Sequence, residues 1–531
     1  MHLAKKAKLN LHIIILMSII ISLSLYMIFW GTQKGGFHID EMFSLMEIRG
    51  GGLGIPLVDE GFFGVWHYAQ DLRYTVGVNR ENAFTYNSPN IRLLHPYYIL
   101  LHTAYSFAPD VFSIWPGIIL NILLYIGTII ILFLLGKMLI TNKYLALLPS
   151  FIWGVSSAAI DTVVLLRMYS LFTFFCVLFT YVVIKTITKD PPRFVDWAIL
   201  VIVSVMGFLS HPYFPIYAFF TSVFVGVYLL VIKRIKDALK FSASMLCTLV
   251  LYDLSLRLQG SSLLMFFAGY RQTEAIENLV NRNFIFSERV TQYSEILSRS
   301  VFANIAMSVV IVVAVLIIAV LFLTRDKKNK IQETIMKNEN LFWIILCLVC
   351  TFYFLLILRI APFITFRYIS NITPLVMLLF IVLLIRLLSR FIENTKVKFS
   401  IILISCTMLL LTNISVPNLY RGAIRHAELL EPYYDVPVIV TVNSERDWDL
   451  VSTYWHLFNF RNQILFTLDN EPDISNIEKK TLNNGLILIH STWGQTESID
   501  KVLERYLYTT GLSSAIHVDD SIRHTVFLLV P

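Results

Sequence analysis

The chain has 531 residues, 56% hydrophobic and 15% charged, with a mean hydropathy of +0.68. Soluble domains carry roughly 45–50% apolar residues, so this composition excludes an ordinary soluble enzyme and indicates an integral membrane protein. The net charge of +7 would suggest nucleic acid on a soluble protein; here the excess lies in short loops between apolar runs, where it sets membrane orientation, and no nucleic-acid partner is expected.

In chain order, Lys5, Lys6 and Lys8 precede an apolar run, Ile13 to Trp30, close to the ~20 residues that span a bilayer. No small-residue cleavage site follows convincingly, so the run reads as an uncleaved first span. Phe37-His38-Ile39-Asp40-Glu41 comes next. Two adjacent carboxylates where a membrane helix emerges are expensive to hold near lipid, and they mark a site at the bilayer surface. Gly50-Gly51-Gly52 and Gly54 read as a flexible turn, because no strand precedes them to build a phosphate-binding loop. Ile91 to Phe107 has the pattern of an amphipathic interfacial helix entered through Asn87-Ser88-Pro89-Asn90, with His95 and His102 on one face and Tyr98 between them.

Further apolar runs at 111–135, 144–160, 163–184, 197–210, 213–232, 241–258, 301–324, 341–358, 369–388 and 399–416 bring the expected spans to eleven. Alternate loops carry Lys137 and Lys143; Lys185, Lys189 and Arg193; Lys233, Arg234, Lys236 and Lys240; Arg325, Lys327, Lys328 and Lys330; Arg390, Lys396 and Lys398. Basic loops face the cytoplasm, which predicts a multi-pass cell-membrane protein with a cytoplasmic N-terminus and an extracytoplasmic tail. All five cysteines fall inside expected spans, and Cys347-x-x-Cys350 reads as packing.

The tail changes character. Val436–Val442, Gln463–Leu468, Gly485–His490 and Thr525–Val530 read as short buried strands, with helical patterns at Glu445–Phe458 and Ser498–Tyr508. The expected organisation is an α-helical polytopic membrane domain over 1–416, its first extracytoplasmic loop at 31–110, and a small α/β domain over 417–531.

Ionisable residues at a membrane edge are functional candidates, and these gather on one side. Asp40 and Glu41 follow span one; His95 and His102 lie on the interfacial helix; Asp161, Arg167 and Tyr169 open span four; His211 lies between spans five and six; Arg359, Arg367 and Tyr368 fall between spans nine and ten. Arg167, about one helical turn inside its expected span, asks for an anion, either a salt bridge to Asp161 or a bound phosphate. Arg367 offers planar donors suited to phosphate oxygens, or else snorkels to headgroups. His211 before Pro212 either caps a helix junction or touches substrate.

Asp40-Glu41 early in the first loop, Leu94-His95-Pro96-Tyr97-Tyr98 later in it, Arg167-Met168-Tyr169-Ser170-Leu171, Ser210-His211-Pro212-Tyr213-Phe214 and Phe366-Arg367-Tyr368 together resemble the GT-C membrane glycosyltransferases, in the branch of protein O-mannosyltransferases and aminoarabinose lipid A transferases. The resemblance covers about residues 10 to 415 and rests on the order and sidedness of the motifs. It implies transfer of a sugar from a polyprenyl-phosphate donor to a lipid, protein or cell-wall polymer acceptor outside the cytoplasmic leaflet, with Asp40 at the family's catalytic acid position. One departure is that Val163 to Leu166, where the family has an acid before its Arg-x-Tyr motif, are apolar, and the nearest acid is Asp161.

The residue types suit such chemistry. Asp40 could accept the proton of an attacking hydroxyl, with Glu41 orienting the acceptor or raising the first acid's pKa. Arg167 and Arg367 could stabilise the leaving phosphate. A metal stays open: Asp40 and Glu41, with His38 or His95, could hold Mg²⁺ or Mn²⁺. The rival from another class is a polytopic transporter or lipid flippase, whose usual related halves and midplane polar groups are not evident; a scaffold without activity is a third reading.

Overall fold

The computed structural model describes residues 2–38, 40–41, 44–45, 63–64, 95–107, 113–258, 262, 277–279, 286–301, 338–389, 391–412, 414–420, 425, 428–442, 463–468, 479–491, 498–520 and 524–531. The gently amphipathic and apolar runs form helices: α1 (His2–Thr32), α2 (Pro96–Tyr105), α3 (Trp115–Leu139), α4 (Leu148–Gly154), α5 (Ser157–Val164), α6 (Tyr169–Ile187), α7 (Phe194–Ser210), α8 (Phe214–Val231), α9 (Ile235–Leu258), α10 (Phe286–Val301), α11 (Asn338–Ile360), α12 (Thr373–Leu388) and α13 (Thr395–Thr412). Proline occupies the first turn of α2, α3, α4, α8 and α12, where its missing N–H costs nothing. Ser156 caps α5 by accepting the Ala159 amide.

Among the described residues seven helical stretches are long and apolar enough to cross a membrane, or eight if α4 and α5, bent by 54°, form one broken span. The chain is a multi-pass membrane protein. The central span is α6, 78% buried, whereas α1 is 22% buried and turns Ile14, Ile21 and Leu25 outward, as a lipid-facing helix does. Ten of the eleven expected spans correspond to helical stretches. Of these, α7 is shorter than a full crossing, and α13 is helical without being among the seven. The run expected at 301–324 lies outside the described residues.

Two local expectations are corrected. Asp161 does not lie in a turn between spans but inside α5, and Arg167 does not lie one turn into a helix. It sits in a non-helical link, 165–168, between α5 and α6.

A mixed sheet of β1 (Phe63–Gly64), β2 (Val438–Val442), β3 (Gln463–Leu468), β4 (Leu486–Ser491), β5 (Ser514–Asp520) and β6 (His524–Val530) has the order β1-β3-β2-β4-β6-β5. Strands β3, β2 and β4 run parallel, and β6, β5 and β1 pair antiparallel. One face, with Ile439, Leu488 and Phe527, packs on α14 (Ile499–Thr510); the other, with Val440, Ile489 and Val526, belongs to the main core. Four strands and α14 match the tail pattern, whereas β1 and β5 were not anticipated and the expected helix at Glu445–Phe458 lies outside the described residues. Because β1 comes from the first loop, that loop and the tail share one sheet.

Candidate functional site

Polar groups gather where the C-terminal ends of α1, α5 and α7 meet the N-terminal ends of α2, α6 and α8, together with the connection from α11 to α12. They form two layers.

The inner layer is closed. Lys34, just after α1, places its Nζ 3.1 Å from Glu41 Oε2 and donates to the Asn418 carbonyl at 3.0 Å; neither Lys34 nor Glu41 has any exposed side-chain surface. Backbone amides also bind Glu41: Oε2 accepts the His38 amide at 2.5 Å and Oε1 the Leu166 amide at 2.7 Å. Asp161 accepts from the Asn418 amide at 3.2 Å and from its Nδ2 at 2.9 Å, so asparagine, not Arg167, is its partner. Asn121, in the middle of an apolar helix, donates Nδ2 to the Val163 and Leu165 carbonyls, each at 2.9 Å, and accepts from Tyr97 OH at 3.2 Å.

The outer layer is partly open. The Arg367 guanidinium donates to Asp40 Oδ2, and the two side chains are 16% and 20% exposed. His38 Nδ1 accepts the Asp40 amide at 3.0 Å and lies 3.5 Å from Asp40 Oδ2. Arg367 covers the Tyr368 ring at 5.3 Å, and Tyr368 meets Tyr213 edge-on at 5.4 Å. Arg167 Nη1 donates to Ser44 Oγ at 3.0 Å and to Tyr98 OH at 3.1 Å. Tyr98 lies against His95 at 4.9 Å; His211 stacks on Phe172 at 4.3 Å, meets Tyr169 at 5.2 Å, and accepts the Tyr213 amide on Nδ1 at 3.0 Å.

Both imidazoles are uncharged near neutral pH. Burial, aided by the Arg167 cation, holds the His95 pKa down to about 3, and burial next to His95 and Arg167 pushes His211 well below its ordinary value. Neither ring nitrogen of buried His95 has a hydrogen-bond partner among the described residues. A buried imidazole left unsatisfied in this way is costly, and a polar ligand would satisfy it.

Of the residues singled out from sequence, these contacts join Asp40, Glu41, His38, His95, Asp161, Arg167, Tyr169, His211, Arg367 and Tyr368; His102 is buried two turns further along α2. Lys34, Tyr98, Asn121, Phe172, Tyr213 and Asn418 were not anticipated as site residues. The recurring histidine-proline and arginine-tyrosine pairs signalled some of their neighbours, but nothing local marks Asn121 or Asn418. The described residues include no group of three or more His, Cys, Asp or Glu placed to hold a metal ion. With Glu41 facing Lys34, the set His38, Asp40 and Glu41 does not converge on a cation.

Fold and site together define a multi-pass helical membrane protein with an aspartate, two arginines and two neutral histidines clustered at one end of its spans. No protein-family model matches the chain, and no curated protein matches it. Two solved structures of ArnT from Cupriavidus metallidurans align with it. The one bound to undecaprenyl phosphate is 12% identical, with a TM-score of 0.43, over 87% of this chain and 96% of that chain. The apo structure is 11% identical, with a TM-score of 0.44, over 87% and 95%.

Proposed function

We propose that the chain is a glycosyltransferase that moves a sugar from a polyprenyl-phosphate donor to an acceptor hydroxyl on a lipid, protein or cell-wall polymer. In this reading the site and the sheet domain face the extracytoplasmic side and the N-terminus the cytoplasm, an orientation that the basic loops support. One observation carries the reading: Asp40 and Arg367, 327 positions apart, meet beside Arg167 and two uncharged imidazoles.

Asp40 takes the proton of the acceptor hydroxyl while its oxygen attacks the anomeric carbon. The bond from that carbon to the phosphate oxygen breaks, and its electron pair leaves with the lipid phosphate. Arg167 and Arg367 hold the charge that develops there. A single displacement inverts the anomeric centre. Tyr169, Tyr368, His95 and His211 supply stacking surfaces and uncharged donors for the sugar. No step is routed through a metal, because among the described residues His38, Asp40 and Glu41 do not converge on one.

The pairing of Arg367 with Asp40 adds a consequence. A donor phosphate competes with the carboxylate for the guanidinium, so arrival of the donor frees the base. Asp40→Asn therefore slows transfer by orders of magnitude while leaving affinity for a polyprenyl phosphate unchanged or tighter.

The test incubates purified protein with radiolabelled polyprenyl-phosphate sugars and envelope extract, and follows donor consumption and the labelled product. Consumption that stops in Asp40→Asn supports the transferase. Transfer retained in that variant overturns Asp40 as the base, and no donor consumed from a broad panel overturns the transferase in favour of a transporter or flippase.

A further inference from the structure

We infer that Glu41 is a positioning residue that seats Arg167, and that Lys34, Asn121 and Asn418 complete the same device. The inference rests on the transferase reading for its functional consequence but not for its geometry.

The link 165–168 interrupts a helix, and because Leu165 and Leu166 are buried their backbone polar groups cannot turn to water. Each freed group needs a partner inside the protein. Glu41 Oε1 accepts the Leu166 amide, Asn121 takes the Val163 and Leu165 carbonyls, and the Arg167 amide donates back to the Leu165 carbonyl at 2.8 Å. Gly117 lets α3 approach the link, since a Cβ there would lie 2.8 Å from Leu166 Cδ2. Arg167 is the next residue along, so its backbone is fixed one peptide unit from the Glu41 carboxylate.

That carboxylate is itself held. Two oxygens receive three donors, and no part of the side chain is exposed, so Glu41 offers no face to a substrate proton. Its neighbour Asp40 is 20% exposed. The device extends to the segment that leaves α13: Lys34 donates to the Asn418 carbonyl, the Gly35 amide to the Leu419 carbonyl at 2.8 Å, and Asn418 binds Asp161 on α5. The seat of Arg167 is thereby tied to the first loop on one side and to the start of the tail on the other.

Two measurements test this. Hydrogen exchange of peptides covering 164–169 is expected to quicken at least tenfold in Glu41→Ala and to stay as in wild type in Asp40→Ala. Unchanged exchange in Glu41→Ala overturns the inference whatever the ligand is.

The second measurement compares Glu41→Gln, Lys34→Met and the double variant for binding to vesicles containing undecaprenyl phosphate and for transfer. Each single change is expected to weaken binding about tenfold, and the double variant to recover most of the binding and of the transfer rate, because it removes the unpaired charge. A folded double variant that binds lipid as wild type does but transfers no better than Glu41→Gln makes Glu41 a reacting acid and overturns the inference. Failure of wild type to bind or consume any polyprenyl phosphate overturns the transferase reading instead, and the exchange result still stands.

Discussion

Two ion pairs lie side by side in this protein and are built differently. Lys34–Glu41 is sealed, with both carboxylate oxygens hydrogen-bonded and no side-chain surface exposed, whereas Arg367–Asp40 retains exposed surface on both partners. A sealed pair holds backbone in place; a pair that solvent and ligands can reach can exchange partners. Adjacent acids in the sequence therefore carry separate tasks, because Asp40 and Glu41 are helical and successive helical residues point about 100° apart.

The sharpest way to break this comparison is to cut each pair from one side. Lys34→Met leaves a buried carboxylate without its cation and is expected to destabilise the protein by about 3–5 kcal/mol. Asp40→Asn is expected to cost at most about 1 kcal/mol of stability, as for a partly exposed pair. The catalytic order reverses: Asp40→Asn should slow transfer by about 10²–10⁴-fold. Thermal unfolding in detergent and radiolabel transfer measure the two quantities, and equal stability losses would erase the distinction between the layers.

Next in size are the arginines. Arg367→Lys and Arg167→Lys keep the charge but lose the planar fork, and each is expected to lower kcat by about 10²-fold, as loss of a preorganised donor at a developing anion does. A lysine variant that transfers at the wild-type rate would mean that charge alone suffices there. Asn121→Leu is expected to destabilise by about 1–3 kcal/mol through the Val163 and Leu165 carbonyls it abandons. Denaturant titration reads that loss directly.

Much of the architecture was legible because lipid imposes simple rules. Span lengths and basic loops gave the alternation of helix ends that collects Arg167, His211 and Arg367 at one end, and β-branched runs located β2, β3, β4 and β6 to within two residues. The break before Arg167 was not legible, since Val163 to Leu166 read as an uninterrupted apolar helix; what opens it is Asn121, 42 and 44 positions away from its two carbonyl partners, and Glu41, 125 positions from Leu166. The same distance problem hid Asn418, which meets Asp161 from 257 positions on. Strand β5 was missed because Ser514–Asp520 is a polar edge, and β1 because two residues carry no period.

The smallest effect concerns the uncharged imidazoles. His95 titrates near 3 in the folded protein against an ordinary value of 6.5, so between those limits the unfolded chain binds a proton that the folded chain does not. Stability is then full above about 6.5 and falls as the pH drops toward 3, the direction required when the unfolded state holds more protons. His211 contributes with the same sign; burial, with the Arg167 cation beside both, keeps them neutral. His95→Phe keeps an aromatic ring without the titration, and its unfolding temperature should decline less between pH 7.5 and pH 5 than that of the wild type. An equal decline in the two proteins would mean that the His95 ring takes up its proton in place, and the site would then meet a donor phosphate with a third cation.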